Sequence, residues 1–400
     1  MSTGYRIPDT EYSVSPDSVE LAEQARSWKS AYVHIPFCAQ RCPYCDFAVV
    51  AADEPGGDEA ARYVEAILAE IAMEDTPFPL DAVNFGGGTP TRVDASDLGR
   101  ILGALDQRFG IADDAEVSIE ANPEDWSPTY GDALLSAGFN RVSFGVQSFD
   151  PVVLNSLGRT HSPDEAESAV RAARESGFDT VNLDLIYGAP AETNDSWSAT
   201  VDRALGLGPD HLSAYALTVE GGTALSRAIR GGAPSPDPDV QADRYEYVDA
   251  AARAAGFVRY EVSNWARPGR ACLYNLSTWM MGEFLAFGTG AHDYRDGARG
   301  RNIRRLDAYL SKVESGERPR SGSERLDDFE SERERFMVGL RLAAGVALGS
   351  IGGPFVECFD GGRLLDAGIV RVDGDRVVVE RPLLTDLVAR SVLSVSPGDC

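Results

Sequence analysis

Lysine is nearly missing from this chain. It occurs only at Lys29 and Lys312, and Lys plus Arg number 37 against 63 Asp plus Glu, for a formal net charge of −26. So negative a surface repels phosphate, which excludes nucleic acid as the main partner. Arginine in place of lysine is read first as a GC-rich coding bias, with a high-salt cytoplasm, where dense surface carboxylate keeps a protein soluble, as the alternative. Long apolar runs are absent, so no integral membrane segment is expected. The first thirty residues have no basic start and no apolar stretch, and they carry Asp9, Glu11, Asp17, Glu20 and Glu23, which excludes a signal peptide and points to the cytoplasm. Cysteine is scarce as well: there are six, and Cys272, Cys358 and Cys400 are scattered without pattern, which argues against a disulfide framework. Histidine occurs only at His34, His161, His211 and His292.

What is present is a tight triplet, Cys38, Cys42 and Cys45, inside Tyr32-Val-His-Ile-Pro-Phe-Cys-Ala-Gln-Arg-Cys-Pro-Tyr-Cys-Asp-Phe47. A [4Fe–4S] cluster has four iron corners, so three thiolates leave one iron open to a small molecule. Zinc with His34 as fourth ligand is the alternative, but structural zinc generally uses paired cysteine knuckles well apart in sequence.

The chain of 400 residues is long enough for two domains. Residues 1–29 read as a flexible extension with a short helix near Ser18–Trp28. Apolar, β-rich runs then recur at Ala31–Ile35, Ala82–Phe85, Glu116–Ala121, Arg141–Val146, Thr180–Ile186 and His211–Leu217. Helical patterns separate them, such as Glu59–Met73 with Ala61, Val64, Ile67, Leu68 and Ile71 at spacings of three and four. This α/β alternation over residues 30–220 predicts a parallel sheet covered by helices, and a partial barrel and an open doubly wound sheet both fit it. Residues 221–240, rich in glycine and proline, read as a linker. Residues 241–400 read as a smaller α+β domain, winged-helix-like near its end, with an arginine-rich stretch at Arg301–Ser323.

In such folds functional residues gather at the C-terminal ends of the strands. The cysteine loop follows the first run. Gly86, Gly87, Gly88 and Thr89 follow the second, Glu120-Ala-Asn122 ends the third, and Gln147 ends the fourth. Asp184 lies in the fifth, and Arg159 follows the fourth unit. Three consecutive glycines suggest a backbone that approaches a ligand closely. A carboxylate within Leu183-Asp184-Leu185-Ile186 needs a partner, since burying it alone is costly.

These residues together resemble the radical S-adenosylmethionine (SAM) proteins. More closely, the chain is similar to the oxygen-independent coproporphyrinogen III oxidase group and, within it, the HemW heme chaperone family. The resemblance is carried by Tyr32–Cys38 and the triplet, Asn84-Phe-Gly-Gly-Gly-Thr-Pro-Thr91, Glu120–Pro123, Arg141–Phe149, Leu157–His161, Asn182–Gly188, Tyr260–Asn264 and Gly288–His292. It runs from residue 31 to about 350. It implies a radical-SAM partial (β/α)6 barrel with a HemW-type C-terminal domain. It also implies a cluster on Cys38, Cys42 and Cys45, with SAM on the open iron. SAM would be held by Tyr32, Tyr44, Gly86, Gly87, Gly88, Thr89, Glu120, Gln147, Arg159 and Asp184. Partners implied are heme or porphyrin, a heme acceptor and an electron donor.

Two branches compete under this resemblance. The decarboxylating oxidase carries a further cysteine two positions after the third cluster cysteine; here that residue is Phe47, which favours the chaperone. HemW proteins carry His-Asn-x-x-Tyr-Trp beyond the barrel, with the histidine implicated in heme binding. This chain has Tyr274-Asn-Leu-Ser-Thr-Trp279. Tyr274, Cys272 and His292 are therefore the candidate heme residues, and a related radical-SAM enzyme acting on another substrate stands as a third expectation.

Overall fold

The computed structural model describes residues 16–51, 55–75 and 78–396. The rest of the expected N-terminal extension, and Cys400, lie outside these. Six parallel strands follow the expected runs: β1 Ser30–Ile35, β2 Leu80–Gly87, β3 Ile111–Ala121, β4 Arg141–Gln147, β5 Thr180–Tyr187 and β6 His211–Ala216. Each crossover carries a helix, such as Asp58–Ala72, Ala95–Phe109 and Pro163–Ser176.

Local chemistry sets where these helices begin and end. Ser162 caps the helix Pro163–Ser176 in a reciprocal box with Glu165, and Pro163 enters at the first helical position, where its missing N–H costs nothing. Gly177 then stops the helix at φ +102°, a conformation open to glycine.

The strands alternate in a way that parallel strands buried on both faces do not. On one face Val83, Phe85, Val117, Ile119, Val142, Phe144, Val181, Leu183, Leu212 and Ala214 are buried under the helices in the main core. Each valine, leucine, isoleucine and phenylalanine among them contributes roughly 1.5–3 kcal/mol of burial. The other face carries Asn84, Ser118, Glu120, Ser143, Asn182, Asp184, His211 and Ser213, all of which line one cavity. Curvature of the sheet turns this polar face inward.

The sheet does not end at β6. Strands β7 Val258–Glu261 and β8 Asn264–Ala266 add antiparallel to its far edge. Strand β9 Phe284–Phe287 pairs parallel to β1, and β10 His292–Arg295, β11 Ala298–Asn302 and β12 Arg320–Arg325 continue antiparallel from it. The result is one open twelve-stranded sheet, so strands from beyond residue 240 extend the barrel's own sheet. A buried carboxylate locks this junction. Glu70 accepts hydrogen bonds from Gly288 N (2.8 Å), Asn302 Nδ2 (2.6 Å) and Tyr309 OH (2.7 Å). A second core, built around Phe336, Phe355, Val377, Val388 and Val392, encloses a small three-stranded sheet, Val346–Ala347, Arg376–Val379 and Val370–Asp373. The helix expected near Ser18–Trp28 spans Pro16–Ala25.

Candidate cluster and cofactor site

The inward polar face opens at the C-terminal ends of β1–β6 into a cavity of about 510 Å³, the size that takes one cofactor-sized ligand. Cys38, Cys42 and Cys45 lie at its mouth as free, partly buried thiols. Two donors reach their sulfurs: Thr89 Oγ1 lies 3.7 Å from Cys38 Sγ, and Arg159 Nη1 lies 3.7 Å from Cys42 Sγ. Asn122 ties these donors together, giving a hydrogen bond to Thr89 Oγ1 (3.1 Å) and accepting one from Arg159 Nη2 (2.5 Å). Burial pushes the Cys38 thiol up to about 11. A metal centre would hold it as thiolate, releasing the proton on binding.

His34 is not available as a zinc ligand. Its Nε2 donates to Ala48 O (2.9 Å), which leaves Nδ1 to accept from Tyr32 OH (3.2 Å). Among the described residues no three His, Cys, Asp or Glu side chains gather to hold a single metal ion.

Deeper in the cavity sit two carboxyls. Glu120 on β3 accepts from Gly87 N (3.1 Å), yet burial, with Asp184 nearby, raises it to about 7. Burial also raises Asp184, against hydrogen bonds that include Ser143 Oγ (2.6 Å) and Asn182 Nδ2 (2.8 Å). This is an acid pair with one shared cation: Arg141 draws Asp184 down, but that guanidinium is already paired with Glu116 (3.2 Å). Arg159 is the complement: it is held by Asn122 and Gly145 O (3.0 Å), and among the described residues its buried Nε has no hydrogen-bond partner. Gln147 ends β4 at φ +64°. Such a backbone is strained for a side-chain-bearing residue by about 1–3 kcal/mol, and strain of this kind collects at ligand sites. A guanidinium with one spare N–H and an acid pair in one cavity fit a zwitterion with additional positive charge. SAM, with its carboxylate, ammonium and sulfonium, is such a ligand.

The glycine run also stands close to the protein's own atoms. A Cβ on Gly86 would stand 2.6 Å from Glu120 Oε1, one on Gly87 2.4 Å from His34 Cε1, and one on Gly88 2.8 Å from Phe37 O. The close approaches are to the protein's own cluster loop and acid pair. Gly87, Gly88 and Thr89 line the cavity; Gly86 does not. Tyr44 lines it, and burial raises its hydroxyl. Tyr32 does not line it: its ring packs against Tyr274 at 6.1 Å between centroids.

The three candidate heme residues are dispersed. Tyr274, on the helix Leu273–Trp279, packs between Tyr32 and Phe284 behind the cavity wall. Cys272 reaches the cavity at its floor, where it donates to Glu116 Oε1 (3.3 Å), the carboxylate that pairs with buried Arg141. Burial pushes that thiol up to about 12. His292 does not line the cavity; it begins β10 on the surface. Sequence reasoning missed Asn84, Ser118, Ser143, Asn182 and Ser213 as cavity wall. The signal was there, since each is a polar residue between apolar neighbours in a strand.

Comparison with known proteins follows this geometry. The Radical SAM superfamily model matches residues 32–204. The heme chaperone HemW of Mycobacterium tuberculosis (strain ATCC 25618 / H37Rv) is 41% identical over 369 residues, covering 90% of this chain and 94% of its own length. The heme chaperone HemW of Bacillus subtilis (strain 168) is 33% identical over 321 residues, covering 80% of this chain and 85% of its own. The solved structure of coproporphyrinogen III oxidase (HemN) from Escherichia coli, described as a radical SAM enzyme, superposes with a TM-score of 0.81 at 24% identity. It covers 94% of this chain and 92% of the other, a likeness of fold.

Proposed function

This chain belongs to the HemW heme chaperone family of radical SAM proteins, and from that premise we propose that it binds heme beside a SAM-coordinated [4Fe–4S] cluster and passes the heme to an acceptor protein. Against the oxidase reading, the observation that carries this choice is Phe47. It is an exposed phenyl ring at the cavity mouth, where the decarboxylating enzyme would carry another thiol.

The side chains divide the work. Cys38, Cys42 and Cys45 would hold three irons of the cluster, with Thr89 and Arg159 donating to the sulfurs. Such hydrogen bonds stabilise the thiolates and raise the cluster potential. Arg159 would take the SAM carboxylate, and Glu120 and Asp184 its amino and ribose groups, with Gln147 and Tyr44 closing the pocket. A bound cation favours the ionised carboxyls, so SAM uptake at neutral pH would release the proton that burial keeps on Glu120. The apolar sheet exterior and the packed floor keep bulk water from the acid pair. When bound, cluster and SAM supply one-electron chemistry, the reductive cleavage of the sulfonium C–S bond. An electron donor and a heme acceptor are the protein partners this reading requires.

The test is anaerobic titration of ferric heme into the reconstituted protein, followed by its Soret band. The expected result is saturation near one heme per chain that survives gel filtration. Only a broad, unsaturable absorbance would refute the reading.

A further inference from the structure

The heme-binding reading leaves open where heme sits and what holds its iron. The cavity of about 510 Å³ takes one cofactor-sized ligand, and its polar lining is matched to a zwitterion. Tyr274, which occupies the position of the family histidine, is packed against Tyr32 and Phe284 behind the cavity wall. Tyr274 does not line that cavity.

The imidazoles can be sorted by what engages them. His34 uses both nitrogens, on Ala48 O and Tyr32 OH. His211 is buried with Nδ1 on Asn182 Oδ1 (2.6 Å) and Nε2 on Tyr260 OH (2.9 Å). His161 is buried with Nε2 on Val146 O (3.0 Å) and Nδ1 3.3 Å from a Glu124 carboxylate oxygen. His292 alone is exposed, and among the described residues no hydrogen bond or ion pair engages its ring.

The surroundings of His292 suit the rest of a heme. Gly290, two residues earlier, packs directly on the cluster loop: a Cβ there would stand 2.9 Å from Ala48 Cβ. The next residue along that loop is Phe47, 60% exposed. Two exposed arginines donate to the backbone of the same loop. Arg41 donates to Cys45 O (3.2 Å) and Phe47 O (3.3 Å), and Arg304 donates to Asp46 O. Among the described residues neither guanidinium has a carboxylate partner. In a chain of net charge −26, two such cations beside an exposed ring form a place for a flat, apolar dianion.

We propose that heme docks on this rim outside the SAM cavity, with His292 as the iron ligand, Phe47 against the ring and Arg41 and Arg304 on the propionates. The proposal rests on the heme-binding reading and adds the site to it. Of the arginine-rich stretch after Arg301 it uses Arg304, while Arg305, Arg318 and Arg320 pair with Asp307, Glu74 and Asp293.

The test is ferric-heme titration of the full, cluster-reconstituted chain and its variants, with iron content and SAM binding checked in each. His292→Ala should weaken binding by at least about tenfold and move the Soret band away from imidazole ligation. His292→Met, which replaces the imidazole with a thioether, should restore part of the affinity with a different spectrum. Arg41→Gln with Arg304→Gln should weaken binding and flatten its salt dependence, and Tyr274→Phe should change neither affinity nor spectrum. Unchanged affinity and Soret position in His292→Ala, or a loss caused by Tyr274→Phe, overturns the assignment while leaving heme binding intact. No uptake by the unmutated chain overturns the heme reading itself.

Discussion

Replacing Glu120 with Gln separates the stability of the site from its function. Burial lifts this carboxyl from an ordinary value of 4.5 to about 7 in the folded chain. Below the lower value both states are protonated and the group contributes no pH dependence. Between the two values the unfolded chain gives up its proton while the folded chain keeps it, so folded stability falls as pH rises. Above pH 7 the penalty is complete, and a gap of that size corresponds to about 3 kcal/mol. Gln carries no charge to bury and retains an oxygen for Gly87 N–H. Cofactor-free Glu120→Gln should therefore be more stable than the parent by about 3 kcal/mol at pH 8, with the gap closing toward pH 4.5. Urea denaturation from pH 5 to 8 measures it. Glu70 shifts in the same direction but is present in both proteins, so the difference isolates Glu120. SAM affinity should move the opposite way, falling about tenfold or more as the cation loses its carboxylate. Parallel stability curves with a constant offset would refute the reasoning, because the penalty would then not come from ionisation at this site.

Other outcomes follow from the packing. Gly88→Ala places a methyl 2.8 Å from Phe37 O and from Pro36 C, backbone that cannot swing aside. The expected loss is about 1–3 kcal/mol, with lower iron and sulfide content after reconstitution. Gly103→Ala is the control: it lies within a helix, nothing stands within 4 Å of the added Cβ, and it should stabilise the protein by about 0.5–1 kcal/mol. Glu70→Ala strands Gly288 N–H and Tyr309 OH and should cost about 3 kcal/mol. Because burial raises that carboxyl to about 7, its ionisation already weakens the parent at high pH, so the loss should be larger at pH 5 than at pH 8 in urea denaturation.

The barrel was legible because its signals are local. Strand and helix periods differ, and the caps at Ser162 and Gly177 mark helix ends in sequence. The cysteine triplet, Glu120, Gln147, Arg159 and Asp184 stood out because βα topology sends strand ends to one face, and the structure opens one cavity onto all of them. The attachment of β9 to β1 was not legible. It joins Ser30 to Phe284 across the chain, and nothing in either segment names its partner. The crowding of the glycine run by Glu120, His34 and Phe37 O was not legible, because it is a tertiary fact. The heme candidates were chosen by residue type and motif position, neither of which reveals that Tyr274 packs between Tyr32 and Phe284 while His292 is exposed.

One measurement bears most directly on the account as a whole. The anaerobically reconstituted protein is given SAM, a reductant and coproporphyrinogen III, then separately SAM, reductant and heme, and the products of both reactions are analysed. The account predicts coproporphyrinogen recovered intact and heme retained on the protein near one per chain. Release of carbon dioxide with vinyl-bearing product, and no retained heme, would contradict it.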